Sequence, residues 1–425
     1  MVTFKVSARN IIKFIILFTI AISTLSAEIG LPSNLLYIND ILLVWIIIAY
    51  HNRGNIFKQL NMRGINYILI FLTLVILLGT IGNLVPLKLL LWGIRNTFRG
   101  ILFFVFCIIY LKYEDVVSIF DMFVKLQYIN FAIGLYQFFI LGLKQDNVGG
   151  IFGHGNGNAL CIFCVIVCSY TMLRYFNEKR NLFSTVFCII SSFILAAFAE
   201  EKFLFIEIVM AFILVLALSK KSFVKLAIIP IFVLVVQQAL QIFEVIFPGI
   251  TKGLTSLNYI EEYATASMAG SYYIPRIGSY SFISDKIFHN NVFHNLFGFG
   301  MGNCDTSSFS FLQSYYYTKY GYMNYRWIFQ QWTIMEEGII GFWCFVALFV
   351  IIIVYLLKIR KSIMEQAKCI VDTSIITAVI SIMTMWMNNT LKVDTAYIPY
   401  FAIASGFICY KVFVNGQNDT INRKC

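Results

Sequence analysis

The chain has 425 residues, of which 60% are hydrophobic and only 12% charged, and its formal net charge is +11. Soluble domains carry about 25% charged residues, so this composition excludes a soluble enzyme. The positive balance needs no nucleic acid to explain it, because basic loops beside an anionic leaflet account for it.

Apolar runs of ~20 residues, each enough to cross ~30 Å of hydrocarbon as a helix, recur along the whole length. Lipid offers no water to pair backbone groups, so runs of this kind must be helices. The predicted fold class is an all-α, polytopic integral membrane bundle. Spans are predicted at 11–26, 35–50, 65–82, 100–111, 122–143, 158–175, 182–199, 203–218, 226–247, 331–357, 370–388 and 397–414, about twelve in all. The span at 100–111 is short, and a start near Leu89 would draw Arg95 and Arg99 into the membrane. Lys5 and Arg9 before the first apolar run imitate a signal peptide, but a second span follows so soon that an uncleaved helix is expected.

With the N-terminus inside, the inner loops hold most of the lysines and arginines, among them Arg9, Lys13, Arg174, Lys358 and Arg360. The short outer loops hold only Lys88, Arg95, Arg99, Lys144, Lys202 and Lys392. That asymmetry predicts both termini in the cytoplasm and puts the long polar stretch 248–327 outside. No repeat and no Pro- or Ser-rich linker divides the chain, so residues 1–425 are read as one domain carrying one large extracytoplasmic loop.

Ten cysteines suggest a disulfide framework, but most lie inside apolar spans, where Cys packs as a small hydrophobe. Only Cys304 falls clearly in the long loop. Cys161, Cys164 and Cys168 share a helix face with no His or carboxylate in the span, which predicts packing. The four histidines form no metal constellation, and no metal or cofactor is expected.

Charges at membrane depth are costly, so each one is a functional candidate. Arg95 and Arg99 stand one helical turn apart, where their forks either suit a phosphate or snorkel to headgroups. Asp146 opens a loop rich in Gly and Asn that runs to Asn158 and can fold close against a ligand. Glu200, Glu201 and Lys202 lie where one span ends and the next begins, with Glu207 further on; a hairpin turn could use the same residues.

Within the loop, Arg276 is followed by a stretch, 281–296, read as a helix on the membrane surface with Asp285 and His289 on its polar side. Eleven of the 24 tyrosines lie here, Tyr272 and Tyr273 among them, either as an interfacial belt or as flat faces for sugars. The run Gly298-Phe299-Gly300-Met301-Gly302 reads as a tight turn returning the loop to the membrane. Three Glu-Glu pairs, at 200–201, 261–262 and 336–337, fall on the outer side and could hold a general base or sit in water.

The order of these features, from 89 to 357, resembles the polytopic O-antigen and capsular polysaccharide polymerases (the Wzy type), in the superfamily that includes the O-antigen ligases. The resemblance rests on the Arg95 segment, the 145–153 loop, the Glu201-Lys202 helix mouth, the loop with Arg276, the 298–302 turn and Glu337-Gly338-Ile339-Ile340-Gly341. It implies metal-independent glycosyl transfer at the outer face of the bacterial cytoplasmic membrane. There the growing glycan leaves undecaprenyl diphosphate for the acceptor sugar of the next lipid-linked repeat unit. It further implies that Arg276, Arg95, Arg99 and Lys202 meet the diphosphate, and that Glu336, Glu337 or His289 takes the acceptor proton. Asp146, Tyr272 and Tyr273 would touch glycan. Membrane lipid, a chain-length regulator and a flippase are the expected partners. Ligases carry a histidine where this chain reads Gln330-Gln331-Trp332, which favours the polymerase over the ligase. A flippase of lipid-linked sugar is the alternative of another class, but it would have short loops and a charged central cavity.

Overall fold

Helices follow the apolar runs. The computed structural model describes residues 7–49, 55–178, 181–219, 224–246, 248 and 273–422, and no strand occurs among them. The first helices are α1 (Ala8–Ile29), α2 (Tyr37–Ala49), α3 (Arg63–Gly82), α4 (Leu87–Tyr110), α5 (Tyr113–Leu135), α6 (Gly157–Glu178) and α7 (Leu182–Phe198). There follow α8 (Lys202–Leu218), α9 (Val224–Ile246), the short α10 (Val292–Phe297), α11 (Phe329–Ser362), α12 (Glu365–Thr384) and α13 (Tyr397–Asn422).

Nine of the described helices, α1, α3 to α6, α9 and α11 to α13, are long and apolar enough to cross a membrane. The other three expected spans fall on α2, α7 and α8, which are apolar but only 13, 17 and 17 residues long. As the shortness of the expected 100–111 span suggested, α4 starts earlier, at Leu87, and carries both Arg95 and Arg99 within it.

The core is built on α6, α12 and α13, which pack on one another and on α4, α8 and α11. All nine described cysteines are free and buried; Cys164 and Cys168 lie beside Gln127 and Ser192 in that core. Ion pairs fasten the helix ends remote from the 273–327 segment. Arg9 and Lys13 both reach Asp115, Arg174 reaches Asp121, and Arg360 reaches Asp372. Lys411 donates to the last carbonyls of α4, those of Ile108, Ile109 and Leu111, which have no partner within their own helix.

Residues 273–327 pack over the other end, and two features decide the geometry there. The first concerns α11, which is interrupted at Gly338, where φ is 70° and ψ −176°. That interruption frees the carbonyls of Met335 and Glu336, and they accept hydrogen bonds of 2.8 and 2.9 Å from the amides of Phe299 and Gly300. The glycine run therefore caps the upper half of α11. A side chain does not fit in this contact: a Cβ on Gly298 would lie 2.5 Å from the Glu336 carbonyl carbon, and one on Gly302 1.9 Å from the Leu89 oxygen. The tight turn expected at 298–302 is present, and it wedges α3, α4 and α11 together.

The second feature overturns an expectation. Residues 281–296 do not form one surface helix. A helical turn at Ser279–Phe282 and a π turn at Ile283–Ile287 end at His289 and Asn290, whose φ values are 51° and 57°. Asn291 then caps α10 through His294 N at 3.1 Å. Asparagine tolerates left-handed backbone and favours helix N-caps, so this Asn pair stops one helix and starts the next. The apolar positions split accordingly: Ile283 and Ile287 are buried, whereas Val292 and Leu296 are exposed.

Candidate functional site

Within five positions α4 carries four polar residues, Arg95, Asn96, Thr97 and Arg99. Arg95 donates through Nε to Asp40 Oδ2 of α2 at 2.8 Å and reaches Asp394 Oδ1 at 3.1 Å. Its guanidinium also lies 4.8 Å from the Tyr37 ring centre and 4.7 Å from that of Trp92. Such stacking holds the fork flat and positions it. Arg99, one turn on, pairs with the same Asp394 and donates to the Lys392 carbonyl at 2.8 Å. It is 4% exposed, so snorkelling to headgroups does not describe it.

Beneath this pair lie the two glutamates of α11. Lys392 donates to Glu336 Oε2 at 3.2 Å and to Glu337 Oε1 at 3.4 Å, and Thr97 donates to Glu337 Oε1 at 3.3 Å. All three ionisable groups are buried. Burial opposes the Lys392 charge, yet Glu337 and Glu336 hold its pKa above the ordinary lysine value. Asp305 of the loop accepts from Asn96 and pairs with Arg326 at 2.8 Å. Arg326 and Lys392 both lie against the Trp332 ring, at 4.6 and 4.7 Å. The network thus holds four cations (Arg95, Arg99, Arg326 and Lys392) and five carboxyls (Asp40, Asp305, Glu336, Glu337 and Asp394).

A cleft of about 250 Å³ opens onto this network. Tyr37, Trp92 and Arg95 form one wall, Arg99 and Asp394 another, and Ser307 and Ser308 of the loop complete the rim. Three side chains lining it keep a buried polar atom without a partner: Arg99 Nε, Arg326 Nε and Trp332 Nε1. Orphaned polar atoms of this kind are uncommon in folded proteins.

A second group of charges gathers at the start of α8. The turn bends at Glu200, where φ is 56°, and brings Lys202 Nζ to within 3.6 Å of Glu200 Oε1. Partly exposed Glu201 lies against Gly157 at the start of α6, where a Cβ would stand 1.9 Å from its Oε1. Burial and the Asp146 carboxylate push the Glu201 carboxyl up to about 7, against a hydrogen bond from Cys161 and the charge of Arg276. Arg276 itself is half-buried, and the backbone just before it is fixed by Gln331, whose Nε2 donates to the carbonyls of Ile274 and Pro275 at 3.1 and 3.3 Å. Gln331 therefore holds the segment just before Arg276 in position.

The two groups meet at the start of α6. Gly157 touches Glu201, while Asn158 donates to Asn389 at 3.5 Å, and Asn389 donates to the Arg326 carbonyl at 2.7 Å. Of the sequence candidates, Arg95, Arg99, Glu336 and Glu337 share the first network, and Arg276, Lys202 and Asp146 gather around Glu201. Tyr273 is exposed and packs on Trp327 at the edge of the first group, with ring centres 6.0 Å apart. His289 is exposed at the helix break, where its charged neighbour is Asp285 rather than either group. Tyr272 and the Glu261-Glu262 pair lie outside the described residues.

Sequence reasoning missed Asp40, Asp305, Arg326 and Asp394 and undervalued Lys392. Asp40 alone gave a signal, as a single carboxylate inside a predicted span. No group of three or more His, Cys, Asp or Glu suited to a metal ion occurs among the described residues.

Fold and site together define a multi-pass helical membrane protein with a buried charge network at one end of its bundle. In comparisons with known proteins, no family model and no curated protein sequence matches the chain.

Proposed function

We propose that this protein is a glycosyltransferase of the bacterial cytoplasmic membrane that joins undecaprenyl-diphosphate-linked oligosaccharide repeat units into a surface polysaccharide. Both termini lie in the cytoplasm and the long loop faces outward. One observation carries the reading. Four segments far apart in sequence, around Arg95, Glu201, Arg276 and Glu337, converge at one end of the bundle beneath one polar loop.

The chemistry needs little beyond these groups. The acceptor hydroxyl oxygen attacks the anomeric carbon of the donor, and the carbon–oxygen bond to the diphosphate breaks with its electron pair leaving on the diphosphate. Glu201 takes the hydroxyl proton, a task suited to a carboxyl poised near neutral pH. Arg276 and Lys202 accompany it and counter the charge gathering on the leaving group. Glu336 and Glu337, buried on Lys392, hold the α4 and α11 walls in register. Lipid, a flippase that delivers the repeat units and a chain-length regulator are the partners of such a reaction.

The test is chain extension by purified protein in detergent, supplied with undecaprenyl-diphosphate repeat units. A ladder of lengthened glycans is expected from the wild type, and only single repeats from Arg276→Ala. A wild-type protein that makes no ladder but moves lipid-linked sugar across a closed bilayer would overturn the reading in favour of a flippase.

A further inference from the structure

The arginine pair of α4 looks, from sequence, like a clamp for the diphosphate. Its surroundings point elsewhere. Every cation bordering the cleft already faces a carboxylate: Arg95 faces Asp40 and Asp394, Arg99 faces Asp394, Arg326 faces Asp305, and Lys392 faces both glutamates. Each cation is thus paired before any ligand arrives, and that pairing weakens the attraction an anion would meet. An incoming diphosphate would also meet Asp394, whose side chain is 33% exposed on the cleft wall.

We propose that the cleft between Tyr37, Trp92, the two arginines and Asp394 is a saccharide subsite, which holds one ring of the glycan and excludes its diphosphate. The inference rests on the polymerase reading and deepens it.

Three properties of the cleft carry it. A guanidinium only donates hydrogen bonds and a carboxylate only accepts them, so a bridged Arg–Asp edge offers both to one hydroxyl, which does both itself. Vicinal sugar hydroxyls can accept from Arg95 and donate to Asp394, with Ser307 and Ser308 as further partners on the rim. Next, partly exposed aromatic rings, Tyr37 and Trp92, stand edge to face at 5.9 Å beside those polar groups. Amphipathic rings of this kind suit the apolar C–H face of a pyranose. Finally, Thr306, Ser307 and Ser308 line the same cleft with neutral hydroxyls, which pair with a saccharide without bringing charge. The exposed Tyr273–Trp327 pair next to Arg326 extends the aromatic track outward for the rest of the chain.

The test uses the tryptophans of the cleft. Purified protein is titrated with soluble repeat-unit oligosaccharide, released by mild acid from the host's lipid-linked intermediates, and separately with inorganic pyrophosphate. A saturable change in tryptophan emission is expected with the oligosaccharide and none with pyrophosphate. Trp92→Phe, a mild replacement, should weaken saccharide binding about tenfold. Asp394→Asn should weaken it too and give the freed arginines an affinity for pyrophosphate. Saturation by pyrophosphate alone, no response to either probe, or unchanged affinity in Trp92→Phe would each overturn the subsite. The polymerase reading fails separately: a protein that binds the oligosaccharide but builds no ladder loses the reaction, and one that builds a ladder without binding it loses the subsite.

Discussion

Gly300 donates its amide hydrogen to the carbonyl oxygen of Glu336 across 2.9 Å, and this contact ties the long loop to the glutamate pair. The neighbouring Gly298, at φ 69°, lies so close to the same backbone that no side chain fits. Gly298→Ala should therefore lose about 1–2 kcal/mol from left-handed strain alone, and more from the overlap with Glu336. Gly278 is the control: its φ is also positive, at 80°, but nothing lies within 4 Å of its would-be Cβ. Thermal unfolding in detergent should separate the two alanine variants, and equal losses would dismiss the wedge.

Among the described residues, Lys392 is the cation that pairs with both Glu336 and Glu337. Replacing it by Met leaves two carboxyls buried without compensation, at a cost of about 3–5 kcal/mol. Adding Glu336→Gln and Glu337→Gln should recover part of that loss. A triple variant with no recovery would mean that the lysine acts through packing on Trp332 instead.

Arg95 serves three partners at once, Asp40, Asn96 and Asp394, while stacking on two rings. A lysine ammonium keeps the charge but cannot span that fork. Chain extension by Arg95→Lys should fall about tenfold or more, equivalent to about 1.4 kcal/mol or more. Wild-type rates in that variant would show that charge alone suffices.

Activity and stability should respond oppositely to pH around Glu201. Its folded-state pKa of about 7 exceeds the ordinary carboxyl value of 4.5, so the folded protein binds the extra proton between those limits. Its contribution to stability is full below the lower limit and is lost as pH rises through the upper one. Activity that needs the ionised carboxylate rises over the same interval. The groups around Glu201 include Asp146, Glu200, Glu207, Arg276 and Cys161, so Asp146→Asn, which removes one raising charge, should shift the acid limb of the rate profile downward. Glu201→Gln should remove chain extension, and a full rate in that variant would exclude it as the proton acceptor.

Spans were legible because hydrophobic length in a membrane is a local property of the chain. The glycine turn at 298–302 was legible from local composition, whereas the break at Gly338 falls inside the stretch 331–357, which reads as one span. The pairing of charges was not legible either. Arg95 finds Asp40 at a separation of 55 residues and Asp394 at 299, and nothing in one sequence says which distant carboxylate will arrive. The arginines alone suggested an anion, and their neutralisation became visible only in three dimensions. His289 failed for a local reason instead, since the asparagines beside it end the helix that was to aim it.

The break in α11 has a mechanical consequence. Without it, a rod of 34 residues would run stiffly from the Arg360 fastening to the roof of the cleft. Cut at Gly338, the rod becomes an anchored post and a separate shelf, and the loop's glycines grasp the shelf alone. The joint uncouples the two: a displacement of the shelf is not transmitted along a continuous helical ladder to the post.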